Sequence, residues 1–255
     1  MAGINVKYGN VAGGQVARVT IDNQARLNSL DADMIDELRT LFEGFSDNEE
    51  LRVVVLTGAG DRAFCGGADL DSLADLTADN AAFFITKLHH ACAAIRNLPV
   101  PVIGRVAGFC LGAGLEVAAS CDFRAAETEA KFAMPEVRVG VPSVIEAALL
   151  PRLIGIGRTN RLLLTGDTID AEEALMWGLV EKVVAIQRLD EVVDGWIASI
   201  CDAGPNAIRL QKELNRNWQN QTLDEGITAG IDAFAEAYKT DEPQQQILRL
   251  RGTHR

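Results

Sequence analysis

Two carboxylates are the residues of this chain best suited to moving protons. Glu116 follows the glycine-rich turn GFCLGAGLE (residues 108–116) and falls in the first turn of the helix that this segment opens. Glu136 follows Pro135 in KFAMPEV. Carboxyls in unequal surroundings can divide acid and base work, because burial raises one pKa while a helix N-terminus lowers the other. On that reasoning Glu116 is expected to ionise readily, and Glu136, behind a proline in an apolar stretch, to keep its proton. Taken singly, each also reads as a solvated or dipole-complementing glutamate. The second chemical feature is a pair of small-residue turns, RAFCGGADL (62–70) and GFCLGAGLE, each following a buried strand. Two such turns from neighbouring strands can aim backbone N–H groups at one oxyanion, with the helix dipole of the second adding to the field. Composition alone leaves open the plainer reading, in which the glycines serve only tight turns and close packing.

Other chemistries lack their residues. The chain has no GxSxG elbow, no GxxxxGK[ST] loop, no HExxH and no GxGxxG opening a helix after its first strand. Its three histidines are His89, His90 and His254; the first two lie in an expected helix, where adjacent side chains point to different faces, and read as surface or packing residues. The five cysteines (Cys65, Cys92, Cys110, Cys121, Cys201) form no CxxC and have no histidine at ligand spacing, so reduced thiols are expected, with no disulfide framework and no metal. Lys+Arg 24 against Asp+Glu 36 gives a net charge of −12, which opposes nucleic acid and anionic membranes. No run approaches the roughly 18 apolar residues of a membrane span, and the N-terminus has no basic-then-apolar leader, so a cytoplasmic protein is expected.

The elements that must position these residues read as α/β. With 255 residues, 48% of them hydrophobic, the chain can bury one substantial core. Strands are expected at 16–21, 52–56, 100–107, 122–126 and 179–184. In DADMIDELRTLFEGF the apolar residues Met34, Ile35, Leu38, Leu41, Phe42 and Phe45 share one helical face, with Asp31 or Ser29 as its cap. From residue 145 helices dominate: 145–153, 158–164, 171–177, 189–201, 205–218 and 223–238. A βα core followed by a helical C-terminal region is the expected architecture.

The motifs together resemble the crotonase, or enoyl-CoA hydratase/isomerase, superfamily. Its [KR]-A-F-x-x-G-x-D-[LI] loop is matched by Arg62-Ala63-Phe64-Cys65-Gly66-Gly67-Ala68-Asp69-Leu70, and its V-x-G-x-x-x-G-[GA]-G-x-E-[LV]-A-x-x-C-D block by residues 106–122. RLNSLDADM (26–34), KFAMPEVRVGVP, LLLTGDTIDAEEALMWGLVEKVV and GPNAIRLQKELNR continue the likeness to about residue 240. It implies repeated ββα units in a catalytic core over 1–195, with a helical trimerisation region over 196–255, assembled as a homotrimer or a homohexamer of two trimers. It further implies an acyl-CoA thioester substrate, with no cofactor beyond the CoA that the substrate carries. The backbone N–H groups of Ala68 and Ala113 would hold the thioester oxygen. Glu116 would orient and deprotonate water attacking Cβ, and Glu136 would deliver a proton to Cα. Arg26 and Arg62 would contact CoA, in a small basic patch, with Ala63, Ala68, Asp69, Leu70 and Gly112 completing the substrate loops. Both glutamates together favour a 2-enoyl-CoA hydratase; a Δ3,Δ2-enoyl-CoA isomerase would need only Glu136. An RNA-binding role, for which the fold has also been used, lacks a basic face here: the region 127–129, read as helical, is acidic. One segment departs from the pattern. Where many hydratases have P-G-x-G-G-T, this chain reads Pro142-Ser143-Val144-Ile145-Glu146. Glu146 is expected in a first helical turn facing solvent; facing the thioester instead, it would signal variant chemistry.

Overall fold

The computed structural model describes residues 2–11 and 13–253; His254 lies outside them. The chain begins with an antiparallel hairpin, β1 (Gly3–Val11) and β2 (Gly14–Asp22). Asp31 then caps α1 (Ala32–Phe45), its side chain accepting the Met34 N–H at 2.9 Å, and the helix buries Met34, Ile35, Leu38, Phe42 and Phe45. That is the apolar stripe expected from the 3.6-residue spacing, with Leu41 at its half-buried margin.

A long strand, a tight turn and a three-residue strand then recur three times. The first unit is β3 (Leu51–Gly58) and β4 (Ala63–Cys65), followed by α2 (Leu70–Ala74) and α3 (Ala81–Asn97). The second is β5 (Val102–Val106) and β6 (Phe109–Leu111), followed by α4 (Ala113–Ala119). The third is β7 (Phe123–Glu127) and β8 (Lys131–Ala133), followed by 3-10 turns at Glu136–Val139 and Ile145–Leu149 that lead into α5 (Leu150–Ile154) and α6 (Ile156–Thr165). The chain continues through β9 (Thr168–Asp170), α7 (Ala171–Trp177), β10 (Lys182–Val184), α8 (Ile186–Asp202), α9 (Pro205–Trp218), α10 (Leu223–Ala237) and α11 (Glu242–Thr253).

The long strands form a six-stranded sheet of order β1-β2-β3-β5-β7-β10, parallel from β2 onward, and the short ones a second sheet of order β4-β6-β8-β9. Each repeat therefore contributes one strand to each sheet. The main core lies between the sheets and under α1 and α3, where Leu38, Leu56, Phe64, Leu88 and Phe132 are fully buried. A second cluster seals the outer face, where Leu189, Val193 and Ile197 of α8 cover Val53, Val55 and Ile103. Arg52 secures the end of α8 by donating to the carbonyls of Ile200 (3.0 Å) and Ala203 (2.7 Å), a cation at the negative end of the helix dipole. This helix crosses position 195 and packs on the sheet on both sides of it.

Three local expectations change. Residues 145–153 form a 3-10 turn and then a short α-helix, because Pro151 can sit only in the first turn of α5. Residues 127–129 are the end of β7 and a turn, and buried Glu127 accepts the Gly108 N–H at 2.6 Å. The second sheet was not expected, since three-residue strands are too short to show a period.

Candidate active site

Parallel pairing aligns the chemistry. In the second sheet Cys65 lies opposite Cys110, Cys110 opposite Phe132, and Leu111 opposite Ala133. The segments that leave β4, β6 and β8 (66–68, 112–113 and 134–136) therefore emerge together at the C-terminal edge of parallel strands, where ligand clefts form.

The first segment is tied down by the loop before α1. Gly66 donates to the Leu27 carbonyl at 2.7 Å, Leu30 to that of Gly67 at 2.8 Å, and Asp69 to that of Leu30 at 2.8 Å. In this parallel bridge Leu30 uses the groups flanking Ala68, so the N–H of Ala68 itself is turned away and donates to no described residue. Asn28, 1% exposed, holds the tying loop: its Nδ2 donates to the carbonyls of Ala63 (2.7 Å) and Ala59 (3.0 Å), and its Oδ1 accepts the Asn23 N–H. Sequence reading passed over this role. The signal was an asparagine in the polar Asn28-Ser29 pair between Leu27 and Leu30, just before a helix cap, where a left-handed backbone (φ 58°) is one asparagine tolerates.

Ala113 is the first residue of α4, so its N–H has no acceptor within the helix. A Cβ built on Gly67 would lie 3.0 Å from the Leu111 carbonyl oxygen and 3.6 Å from the Ala113 nitrogen. The two loops are thus in contact, and the free N–H groups of Ala68 and Ala113 flank the seam. Gly112 (φ 53°, ψ −124°) has a backbone that side chains disfavour, and a Cβ there would stand 2.6 Å from Glu136 Oε1. Its missing side chain is what admits the Glu136 carboxylate to the second loop. Glu136 Oε2 in turn accepts the Ser143 hydroxyl at 2.8 Å.

Glu116 is 5% exposed, and its Oε1 accepts the Ala147 N–H at 3.0 Å. Burial pushes its carboxyl up to about 8; the Ala147 N–H opposes this, while the nearby Glu136 and Glu146 add to it. The expectation that Glu116 ionises readily is therefore overturned. A position in the first turn of the seven-residue α4 does not offset the desolvation of a carboxylate closed in by protein. The sign for stability follows. The folded state keeps a proton that the unfolded chain releases above its ordinary value near 4.5, so stability falls as pH rises through that value toward about 8. Glu116→Gln keeps an acceptor for Ala147 and removes the titration. Urea unfolding at pH 5.5 and 8.0 should show a loss on the order of 3 kcal/mol in the native chain and a much smaller one in the variant.

Glu146 does not face solvent. It is 3% exposed and meets His89 Nδ1 at 3.0 Å and Arg96 Nη1 at 3.4 Å, both on α3. His89, read from the sequence as a surface or packing residue, is half exposed and adds to that a bond to this buried carboxylate. Ile145, just before, has φ 38°, a left-handed conformation that costs a β-branched residue roughly 1–2 kcal/mol.

The remaining loop residues are placed as follows. Asp69 is buried, caps α2 through the N–H groups of Asp71 and Ser72 (both 3.1 Å), and binds Arg26 Nη1 at 2.6 Å. The same Arg26 nitrogen also binds Asp71 at 2.6 Å. Two carboxylates on one guanidinium cancel its charge, so the expected basic patch around Arg26 and Arg62 loses one of its two contributors. Arg62 is exposed at the start of the first loop, and Leu70 is 67% exposed at the start of α2. Ala63 is enclosed within β4, its carbonyl taken by Asn28. Among the described residues no group of three His, Cys, Asp or Glu side chains could hold a metal ion, and no helix is long and apolar enough to cross a membrane.

Comparison with known proteins agrees with this geometry. The enoyl-CoA hydratase/isomerase family profile matches residues 12–252. The chain is 34% identical over 236 residues to the short-chain-enoyl-CoA hydratase of Clostridium acetobutylicum, covering 92% of this chain and 90% of that one. It is 33% identical over 232 residues to the crotonyl-CoA hydratase of Syntrophomonas wolfei, covering 91% and 89%. The crystal structure of an enoyl-CoA hydratase from Bacillus anthracis superposes with a TM-score of 0.93 at 31% identity, covering 98% of this chain and 96% of that one. With its ββα repeats, paired loops and glutamates in the family's order, the chain belongs to the enoyl-CoA hydratase/isomerase family and has the crotonase fold.

Proposed function

We propose that this protein is a 2-enoyl-CoA hydratase. The observation that carries the reading is the pairing of buried Glu116 and half-buried Glu136 on adjoining segments, beside two backbone N–H groups that no described residue uses. Water adds across Cα=Cβ: its oxygen bonds to Cβ, the π electrons move toward the thioester oxygen, and the Ala68 and Ala113 N–H groups stabilise the resulting enolate. The pair needs one proton between its members. One carboxylate takes a proton from water while the other carboxyl gives one to Cα, so the pair still holds one proton, now on the opposite member, and a transfer between the two carboxyls resets it for the next turnover. The resemblance assigns the water to Glu116 and Cα to Glu136, roles that operate in the arrangement of the pair in which the shared proton sits on Glu136. Burial lets the pair keep its shared proton up to about pH 8. This chemistry needs no metal or redox group; CoA enters as part of the substrate, its phosphates meeting Arg62. Five buried free thiols suit a reducing cytoplasm. The stripe Leu223, Ile227, Ile231 and Phe234 on α10, all more than half exposed, suits a trimer or a dimer of trimers.

The test is turnover of a panel of short, branched and aromatic 2-enoyl-CoA thioesters, followed by loss of the conjugated absorbance. A hydratase bleaches at least one of them and forms the 3-hydroxyacyl product. Turnover of a 3-enoyl-CoA with no hydration would instead assign the isomerase reaction.

A further inference from the structure

We propose that His89 and Arg96 on α3, acting through buried Glu146, are positioning residues that hold the 143–147 strap against the glutamate pair. The strap touches both glutamates: Ser143 Oγ donates to Glu136 Oε2 at 2.8 Å, and the Ala147 N–H donates to Glu116 Oε1 at 3.0 Å. Between these contacts Ile145 stands at φ 38°. A branched residue stays in that conformation only when its surroundings over-determine it. The restraint comes from the next residue. The Glu146 carboxylate is bound by His89 Nδ1 through both oxygens, at 3.0 and 3.2 Å, and by Arg96 Nη1 at 3.4 Å. Helix α3 is a rigid 17-residue element whose adjoining face is fixed in the core by Phe84, Leu88, Cys92 and Ile95. The strap is therefore referenced to the core through one buried carboxylate. Without it the turn can relax, and the Ala147 N–H leaves Glu116.

Glu116 is faced by Glu136 from the turn after β8, by Glu146 from the strap and by the Cys92 thiol from α3; the Arg96 guanidinium offsets the charge of Glu146, and His89 Nδ1 hydrogen-bonds it. Loosening the anchor acts on Glu116 with one sign. It weakens the N–H bond that favours the carboxylate and leaves the Glu146 charge less compensated, so Glu116 holds its proton to higher pH.

The inference rests on the proposal that the pair does the proton work, and the experiment separates the two. His89 is 45% exposed in its side chain, so His89→Ala removes the donor with little cost to folding. His89→Asn puts an amide nitrogen where Nδ1 lies and should restore the bond. In His89→Ala, kcat for a 2-enoyl-CoA is expected to fall by about 10- to 100-fold at little changed KM. The alkaline limb of kcat should move to higher pH, and amide exchange in the peptide covering 144–149 should speed up, with no substrate needed for this last reading. His89→Asn should return all three toward the native values. Native kcat, limb and exchange in His89→Ala would overturn the proposal, as would equal impairment in His89→Asn. Faster exchange with unchanged kcat and limb would show an anchor that does not serve the chemistry, and would also overturn it. If the native protein turns over no enoyl-CoA, the functional reading fails, and the exchange of the two variants still decides whether His89 holds the strap.

Discussion

Glutamine in place of either Glu116 or Glu136 should lower hydration of a 2-enoyl-CoA by about 10²- to 10⁴-fold, the usual cost of removing a positioned acid or base. The replacement is close in shape. In Glu116→Gln the amide oxygen can still accept from Ala147, and in Glu136→Gln it can still accept from Ser143, so the loops keep their contacts while the proton is lost. The effect should therefore fall on kcat, with KM little changed. Because the pair acts as one unit on one shared proton, the double variant should be hardly worse than the poorer single one. For the same reason native kcat/KM should decline above about pH 8, where the raised Glu116 can no longer keep that proton in the pair. Single variants that both retain native turnover would remove the pair from the chemistry. Loss in Glu136→Gln alone, with turnover of a 3-enoyl-CoA, would shift the assignment to the isomerase.

The second large effect concerns a backbone group. Ala113→Pro should reduce turnover by at least about 10²- to 10³-fold, as loss of an oxyanion donor does elsewhere. The position is unusually tolerant of the change. Ala113 opens α4, where a missing N–H breaks no helical bond and the proline φ is already helical. Gly112 before it has φ 53° and ψ −124°, a mirror-image extended backbone with no Cβ to meet the proline ring. The ring Cδ takes the place of the proton, so the thioester oxygen is both unbonded and crowded, and KM should rise as kcat falls. Ala113→Gly keeps the N–H and should remain active, since the side chain has no part in the bond. Circular dichroism and unfolding midpoints near those of the native protein would show that α4 is intact. Native turnover in the proline variant would place the enolate oxygen elsewhere.

Much of this was legible in the chain, and the boundary falls along physical lines. The stripe from Met34 to Phe45 identified α1 because twelve residues of one period outweigh any single misplaced side chain. The glycine and alanine runs at 66–68 and 112–114 pointed to backbone donors because side-chain size is a property of each residue alone. The strands β4, β6 and β8 were missed: three residues carry no periodic signal, and their existence depends on pairing with partners some twenty to fifty positions away. Asn28 was recognised as part of a motif but not as the clasp of the first loop, since its acceptors at Ala59 and Ala63 belong to the next unit.

The composition and ordered motifs were enough to establish an α/β core and the family and to single out the two glutamates and the two loops as candidates, because these follow from local residue identity and order. Folding settled that burial raises the Glu116 carboxyl, where Glu146 points and whether Arg26 is a free cation. Each of these depends on what surrounds a charge: protein closes over Glu116, His89 and Arg96 enclose Glu146, and Asp69 and Asp71 neutralise Arg26. Solvation and Coulomb energies vary with distance and burial in three dimensions, and linear order does not contain them.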